Sequence, residues 1–282
     1  MRSPGPVGLV LAGIVSVQVG AALSKGAFDE ATPTTMVWVR LATAALVLLA
    51  FVRPRFAGRT RHDLLVALAF GAVLALMNWA FYQAFARIPL GLAVAIELLG
   101  PLSVALATGR RRSDALWVLL AGAGVALLGF ERSGVTLAGV LFALLAAGCW
   151  AAYILLSAAT GRVWPGLSGL AVASLVGAVG LGFYAVPAAG GDLLDTSVLV
   201  TGAVAGLLSS VVPYSLELIA LRTIPTHVFG TLMSLEPAAG AMAGLLLLGE
   251  ELGLGQYAAV ACIVLASAGV ARRATRVAVA PD

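Results

Sequence analysis

Charge is what this chain has least of. Only 11% of its 282 residues are Asp, Glu, Lys or Arg, against the roughly 25% usual in a soluble domain. Thirteen acidic and seventeen basic side chains cannot give a chain of this length a polar skin. That shortage excludes a water-soluble globular enzyme, a disordered tail and a nucleic-acid binder. Cysteine is scarce too: Cys149 and Cys262 both lie inside apolar runs, and no disulfide is expected. The histidines, His62 and His227, are the only two, so no metal-ligand spacing exists. Neither a metal nor another cofactor is expected. No G-x-x-x-x-G-K-[ST] occurs, which excludes a nucleotide-driven pump within this chain. GAGVALLG from Gly122 lacks the third glycine of a dinucleotide fingerprint and sits in an apolar run. GLSG at Gly166–Gly169 and HVFG at His227–Gly230 supply a serine and a histidine near helix ends. Intramembrane proteolysis, however, needs the serine sunk in a wet cavity beside an oxyanion hole, and that reading is set aside.

What the chain has is apolar length. Apolar residues make up 61% of it and the mean hydropathy is +1.04. A bilayer core of about 30 Å takes about 20 helical residues. Ten runs fit that measure: Pro6–Leu23, Thr34–Val52, Leu64–Ala86, Leu90–Ala107, Ala115–Phe130, Thr136–Ser157, Leu167–Val186, Thr196–Leu221, Thr226–Leu248 and Leu254–Ala271. They are rich in Leu and Ala and lack the alternation of barrel strands, so the expectation is an all-α membrane protein with ten transmembrane helices. The first run has too long an apolar stretch for a signal peptide and only Arg2 before it, and is kept as a helix.

The net charge of +4 and pI near 9.5 are read against the membrane, because the basic residues cluster between runs. With a cytoplasmic N-terminus, inside segments carry Arg2, Arg53, Arg55, Arg59, Arg61, Arg110, Arg111, Arg112, Arg162, Arg222, Arg272, Arg273 and Arg276. Outside segments carry only Lys25, Arg87 and Arg132, and Arg40 lies within a span. This bias puts both termini in the cytoplasm, and dropping one helix would reverse every later loop.

The halves resemble each other. Ile88–Pro89 recurs as Ile224–Pro225, and Pro101 as Pro237, with Arg87 and Arg222 just upstream; Pro33 and Phe51 match Pro165 and Phe183. Spans one to five (residues 6–130) therefore correspond to spans six to ten (136–271), with 272–282 as a cytoplasmic tail. Five is odd, so the second copy is inverted, and inverted repeats hold their substrate near the midplane between the copies.

Charge inside a bilayer is costly and calls for a reason. Arg40 and Glu97 lie at similar depths, roughly 9 and 10 Å below the outer ends of spans two and four. An ion pair between them is possible; it either locks two helices together or sets Glu97 as part of a proton or substrate relay. Glu236 lies roughly 15 Å into span nine, where no basic residue is placed, and a carboxyl there is suited to exchanging a proton. Glu217, near the cytoplasmic end of span eight, is expected to be interfacial. Pro101 leaves the carbonyl of Glu97 without its helical partner, and Pro237 does the same to Met233. Such carbonyls are tolerated only against protein or a wet cavity. Spans four and nine thus each carry a carboxyl and a freed carbonyl, a place to hold an ammonium group or a proton, or simply a packing kink. Gln18, Asn78, Tyr82, Trp150, Tyr153 and Tyr214 are softer candidates, some of them suited to interfacial belts instead.

Certain stretches carry a family likeness. AIELLGPLSVAL (Ala95–Leu106), GCWAAYILLS (Gly148–Ser157), VQVGAALSKGAF (Val17–Phe28) and the long VPYSLELIALRTIPTHVFGTLMSLEPAAGAMAGLLLLGE (Val212–Glu250) resemble the bacterial threonine/homoserine exporters of the drug/metabolite transporter superfamily. The resemblance implies ten helices in two inverted EamA repeats, an inner-membrane location and proton-driven amino-acid export, with small amino acids, protons and the bilayer as partners and no oligomer implied. By motif position it directs attention to Glu97 with Gly100–Pro101, and to Glu236 with Pro237. The expected alternatives are a broader exporter of drugs or metabolites, and a passive pore.

Overall fold

A computed structural model describes residues 5–108, 114–128, 134–221, 229 and 232–278. All its regular elements are helical: α1 (Pro6–Gly26), α2 (Pro33–Val52), α3 (Arg61–Phe85), α4 (Leu90–Glu97), α5 (Leu99–Thr108), α6 (Asp114–Leu128), α7 (Leu137–Val163), α8 (Ser168–Ala189), α9 (Thr196–Gly206), α10 (Val212–Leu221), α11 (Glu236–Leu248) and α12 (Leu254–Ala278). A π-helical turn, Leu207–Val211, joins α9 to α10. Five of these, α1, α2, α3, α7 and α8, are long and apolar enough to cross a membrane by themselves. The side chains of Tyr214 and Glu217, as well as Arg222 and His227, fall outside the described residues.

The helix starts are written locally. Pro6 and Pro33 occupy first-turn positions, where a missing N–H costs nothing. Thr32, Thr136 and Asp195 cap α2, α7 and α9 through their side-chain oxygens. Thr60 and Asp63 form a reciprocal capping box on α3, with bonds of 3.2 and 3.0 Å, each satisfying an amide the helix leaves open. That box starts α3 ahead of the apolar run. Helix α7 likewise continues to Val163, past the expected end at Ser157, because a helix need not stop where hydrophobicity does.

Three expected spans are not continuous helices. Span four is interrupted at Leu98, between α4 and α5, and span nine at Ser234–Leu235, just before α11. Each break lies within a turn before a proline, Pro101 or Pro237, whose absent N–H ends the hydrogen-bond ladder. Span eight widens into the π turn midway along its α9–α10 path, two to six residues upstream of Pro213.

The most extensive helix packing follows a pattern. Helix α2 lies on α8, α6 on α12 and α4 on α11; α3 packs on α7 and α8, while α1 packs on α10 and α11, and α2 on α9. The contacts are made by small residues, as expected where lipid removes the hydrophobic drive between helices. At Gly91 a Cβ would sit 2.5 Å from the Cα of Ala241, so α4 and α11 meet backbone to backbone. Large apolar side chains such as Leu46, Phe51, Phe183 and Leu246 face outward, the arrangement lipid requires.

One end of the bundle is tied by charge. Gly249 closes α11 in a left-handed turn (φ 66°) and the Glu250 amide donates to Gly244 O at 3.0 Å. This turn brings the Glu250 carboxylate to Lys25 Nζ at 2.5 Å and to the Leu90 amide at 2.8 Å, at the N-terminus of α4. Lys25 Nζ also donates to Ile88 O at 2.8 Å.

Candidate functional site

A central cavity of about 480 Å³ opens among the helices of both halves. Its walls follow from helical spacing. Gln18 and Ala21 line it from α1, Asn78 and Phe81 from α3, Val94 and Glu97 from α4, and Trp150, Tyr153 and Ile154 from α7; residues three and four apart share a face. Arg40 enters from α2, Ser209 from the π turn, Pro213 from α10, and Glu236 from the first residue of α11.

Most of the sequence candidates therefore meet at one place: Gln18, Arg40, Asn78, Glu97, Pro101, Trp150, Tyr153 and Glu236 all border the cavity. Glu97 is half-buried at the last residue of α4 and Glu236 is buried. Neither faces lipid. Gly100 is a contact residue, since a Cβ there would strike the carbonyl oxygen of Ala147 on α7. Pro237 is buried behind Glu236. Asn78 donates to Leu74 O at 2.8 Å within its own helix.

Two expectations change. Arg40 and Glu97 make no ion pair among the described residues; instead Arg40 Nη2 donates to Ser209 O at 3.3 Å, with the guanidinium carbon 5.6 Å from the centre of the Tyr82 ring. Similar depth along two helices does not by itself bring two side chains together, and Arg40 is claimed by a nearer partner. Tyr82 is not on the cavity wall but fully buried behind Arg40, its hydroxyl 2.9 Å from Ser24 Oγ. It supports the arginine rather than meeting a solute.

Ser209 is the residue sequence reasoning missed. Its signal was present: Pro213 lies four residues later, so the Ser209 carbonyl loses its helical donor. The π turn presents that carbonyl to Arg40, and Ser16 Oγ on α1 takes the neighbouring carbonyl of Leu208 at 2.7 Å. Side chains from two other helices thus satisfy what the proline leaves open.

Known proteins now bear on this geometry. Over 270 residues the chain is 41% identical to the threonine/homoserine exporter RhtA of Salmonella typhimurium and, to the same degree, to that of Escherichia coli K12; each alignment spans 94% of this chain and 90% of the relative. The chain belongs to the threonine/homoserine exporter family. The EamA-like transporter family model matches residues 137–272. A solved crystal structure with 18% identity superposes with a TM-score of 0.64, covering 96% of this chain and 99% of its own; at that identity the likeness is one of fold. Membership makes this a multi-pass membrane protein of a transporter family rather than an enzyme.

Proposed function

We propose that the protein is a secondary active exporter of small zwitterionic amino acids of the threonine and homoserine type, working in the inner membrane with both termini cytoplasmic. Proton influx drives it, and access alternates as two inverted five-helix repeats, residues 6–130 and 136–271, rock about the central cavity. The observation that carries this reading is the cavity itself: two carboxyls at helix breaks, Glu97 and Glu236, and one guanidinium, Arg40, border a single space lined by both halves. Its volume of about 480 Å³ falls in the usual range of roughly 300–1,000 Å³ for small-molecule sites.

The way the helices pack supports the repeat. If α1 corresponds to α7, α2 to α8, α3 to the α9–α10 span, α4 to α11 and α6 to α12, each large contact has its counterpart. Thus α3 on α7 answers α10 on α1, α3 on α8 answers α9 on α2, and the contacts α2–α8, α4–α11 and α6–α12 each answer themselves. A two-fold relation between halves predicts this reciprocity. In the proposed cycle Glu236 carries the proton and Glu97 receives the substrate ammonium.

The test is uptake of threonine by vesicles holding the purified protein under an imposed pH gradient. Uphill accumulation is expected from the wild type, and its loss in Glu236→Gln. A passive pore would equilibrate threonine without accumulating it. Uphill transport at the normal rate in Glu236→Gln would refute the proton role, and accumulation of unrelated metabolites in place of threonine would reassign the substrate.

A further inference from the structure

We propose that Arg40 and Ser209 form the subsite for the α-carboxylate of the transported amino acid, so that the substrate lies in the cavity in one polarity. The inference deepens the exporter reading and rests on it. Arg40 is only 9% exposed, and its guanidinium carries five donors in a planar fork. Among the described residues, its one hydrogen bond is to Ser209 O, at 3.3 Å. Its Nε has no partner, and no carboxylate lies within ion-pair distance among the described residues. Ser209 is 4% exposed and its Oγ also lacks a partner.

Buried polar atoms are nearly always hydrogen-bonded, and a buried cation without a contacting anion is rarer still. Here both residues border one cavity, and the bond from the guanidinium to the Ser209 backbone carbonyl joins them, which makes them parts of a single site. A guanidinium beside a hydroxyl suits a carboxylate: two parallel N–H donors match its two oxygens, and the serine adds a third donor. The Tyr82 ring behind the guanidinium and the Ser209 carbonyl, freed by Pro213, hold the fork in place. A third orphan, the Oε1 of Gln18, is an acceptor on the same wall. With Glu97 and Glu236 it suits the ammonium and hydroxyl donors of the same solute. The site therefore demands a carboxylate at one end and a donor-rich group at the other.

The experiment compares L-threonine, L-threoninamide and acetate as ligands of the full-length protein in micelles. Binding is read by calorimetry, and thermal stabilisation is measured with chloride at equal ionic strength as control. Wild type is expected to bind threonine at least about tenfold more tightly than threoninamide, the factor expected of one charge-assisted contact. Arg40→Gln should reduce that ratio to near one by weakening threonine alone, and Ser209→Ala should reduce it in part. Arg40→Lys keeps the charge but loses the fork; it should lower the ratio without abolishing it, which preserves the test if the Gln variant does not fold. Equal binding of threonine and its amide by wild type, or an equal loss of both in Arg40→Lys, would overturn the proposal. If wild type binds no threonine, the exporter reading fails separately. Acetate then decides the subsite: stabilisation lost in Arg40→Lys and Ser209→Ala upholds it, and none in wild type overturns it.

Discussion

The tie between Lys25 and Glu250 offers a direct measurement of what charge contributes at one end of the bundle. The two side chains are 19% and 16% exposed and 2.5 Å apart. Each also holds backbone of the loop leading into α4: Lys25 donates to Ile88 O and Glu250 accepts from the Leu90 amide, both at 2.8 Å. An exposed ion pair contributes about 0.2–1 kcal/mol, whereas breaking a fully buried one costs about 3–5 kcal/mol. This pair is roughly four-fifths buried and carries two further charge-assisted bonds. Glu250→Gln and Lys25→Met are therefore each expected to destabilise by about 2 kcal/mol, and the double variant by about 3 kcal/mol rather than about 4, because the second substitution removes a charge already stranded. Equilibrium unfolding of the four proteins in micelles gives the cycle. If the tie belongs to only one of two alternating states, the same 2 kcal/mol shifts their ratio by about 30-fold. A cysteine introduced at Ala21, on the cavity wall, should then react faster in Glu250→Gln with a maleimide applied from the Lys25 side. Strict additivity in the cycle, to within about 0.3 kcal/mol, would show that the two charges do not act on each other and would refute the reasoning.

Other outcomes follow from individual contacts. Gly91→Leu drives a side chain into the backbone of Ala241, where even a Cβ would sit 2.5 Å from Cα. Its unfolding free energy should fall by at least about 1–3 kcal/mol, with no comparable loss in a Leu substitution at exposed Gly148. Pro213→Ala restores an N–H that competes with Arg40 for the Ser209 carbonyl. It should raise the melting temperature while weakening threonine binding, both measured on the same preparation. At the edge of the membrane, the Thr60 amide lowers the pKa of Asp63 from 3.8. A depressed folded value means that the cap's contribution is present above pH 3.8 and is lost as pH falls through the lower folded value. The protection factor of the amides at the start of α3, which corrects exchange for its intrinsic pH dependence, should fall over that interval in the wild type and stay constant there in Asp63→Asn.

The sequence alone determined what is local or periodic. A missing amide N–H acts on the carbonyl four residues earlier, so Pro101 and Pro237 announced the breaks at Leu98 and at Ser234–Leu235. Hydropathy announced the apolar runs, because about 20 residues of helix is what a bilayer demands. Their cost in lipid marked Glu97, Glu236 and Arg40 as residues to explain, and all three border the cavity. Pro213 carried the same local message for Ser209, and only its consequence, the π turn, needed coordinates.

Tertiary structure decided which of these groups meet. Arg40 and Glu97 lie at similar depths along their helices, yet rotation about the helix axes gives Arg40 the carbonyl of Ser209, 169 residues away, and the face of Tyr82. Lys25 finds Glu250 across the bundle because α11 ends in a left-handed turn beside α4. Depth along a helix is counted in residues, whereas azimuth and partner depend on how every other helix is laid down, and a one-dimensional pattern does not contain that information.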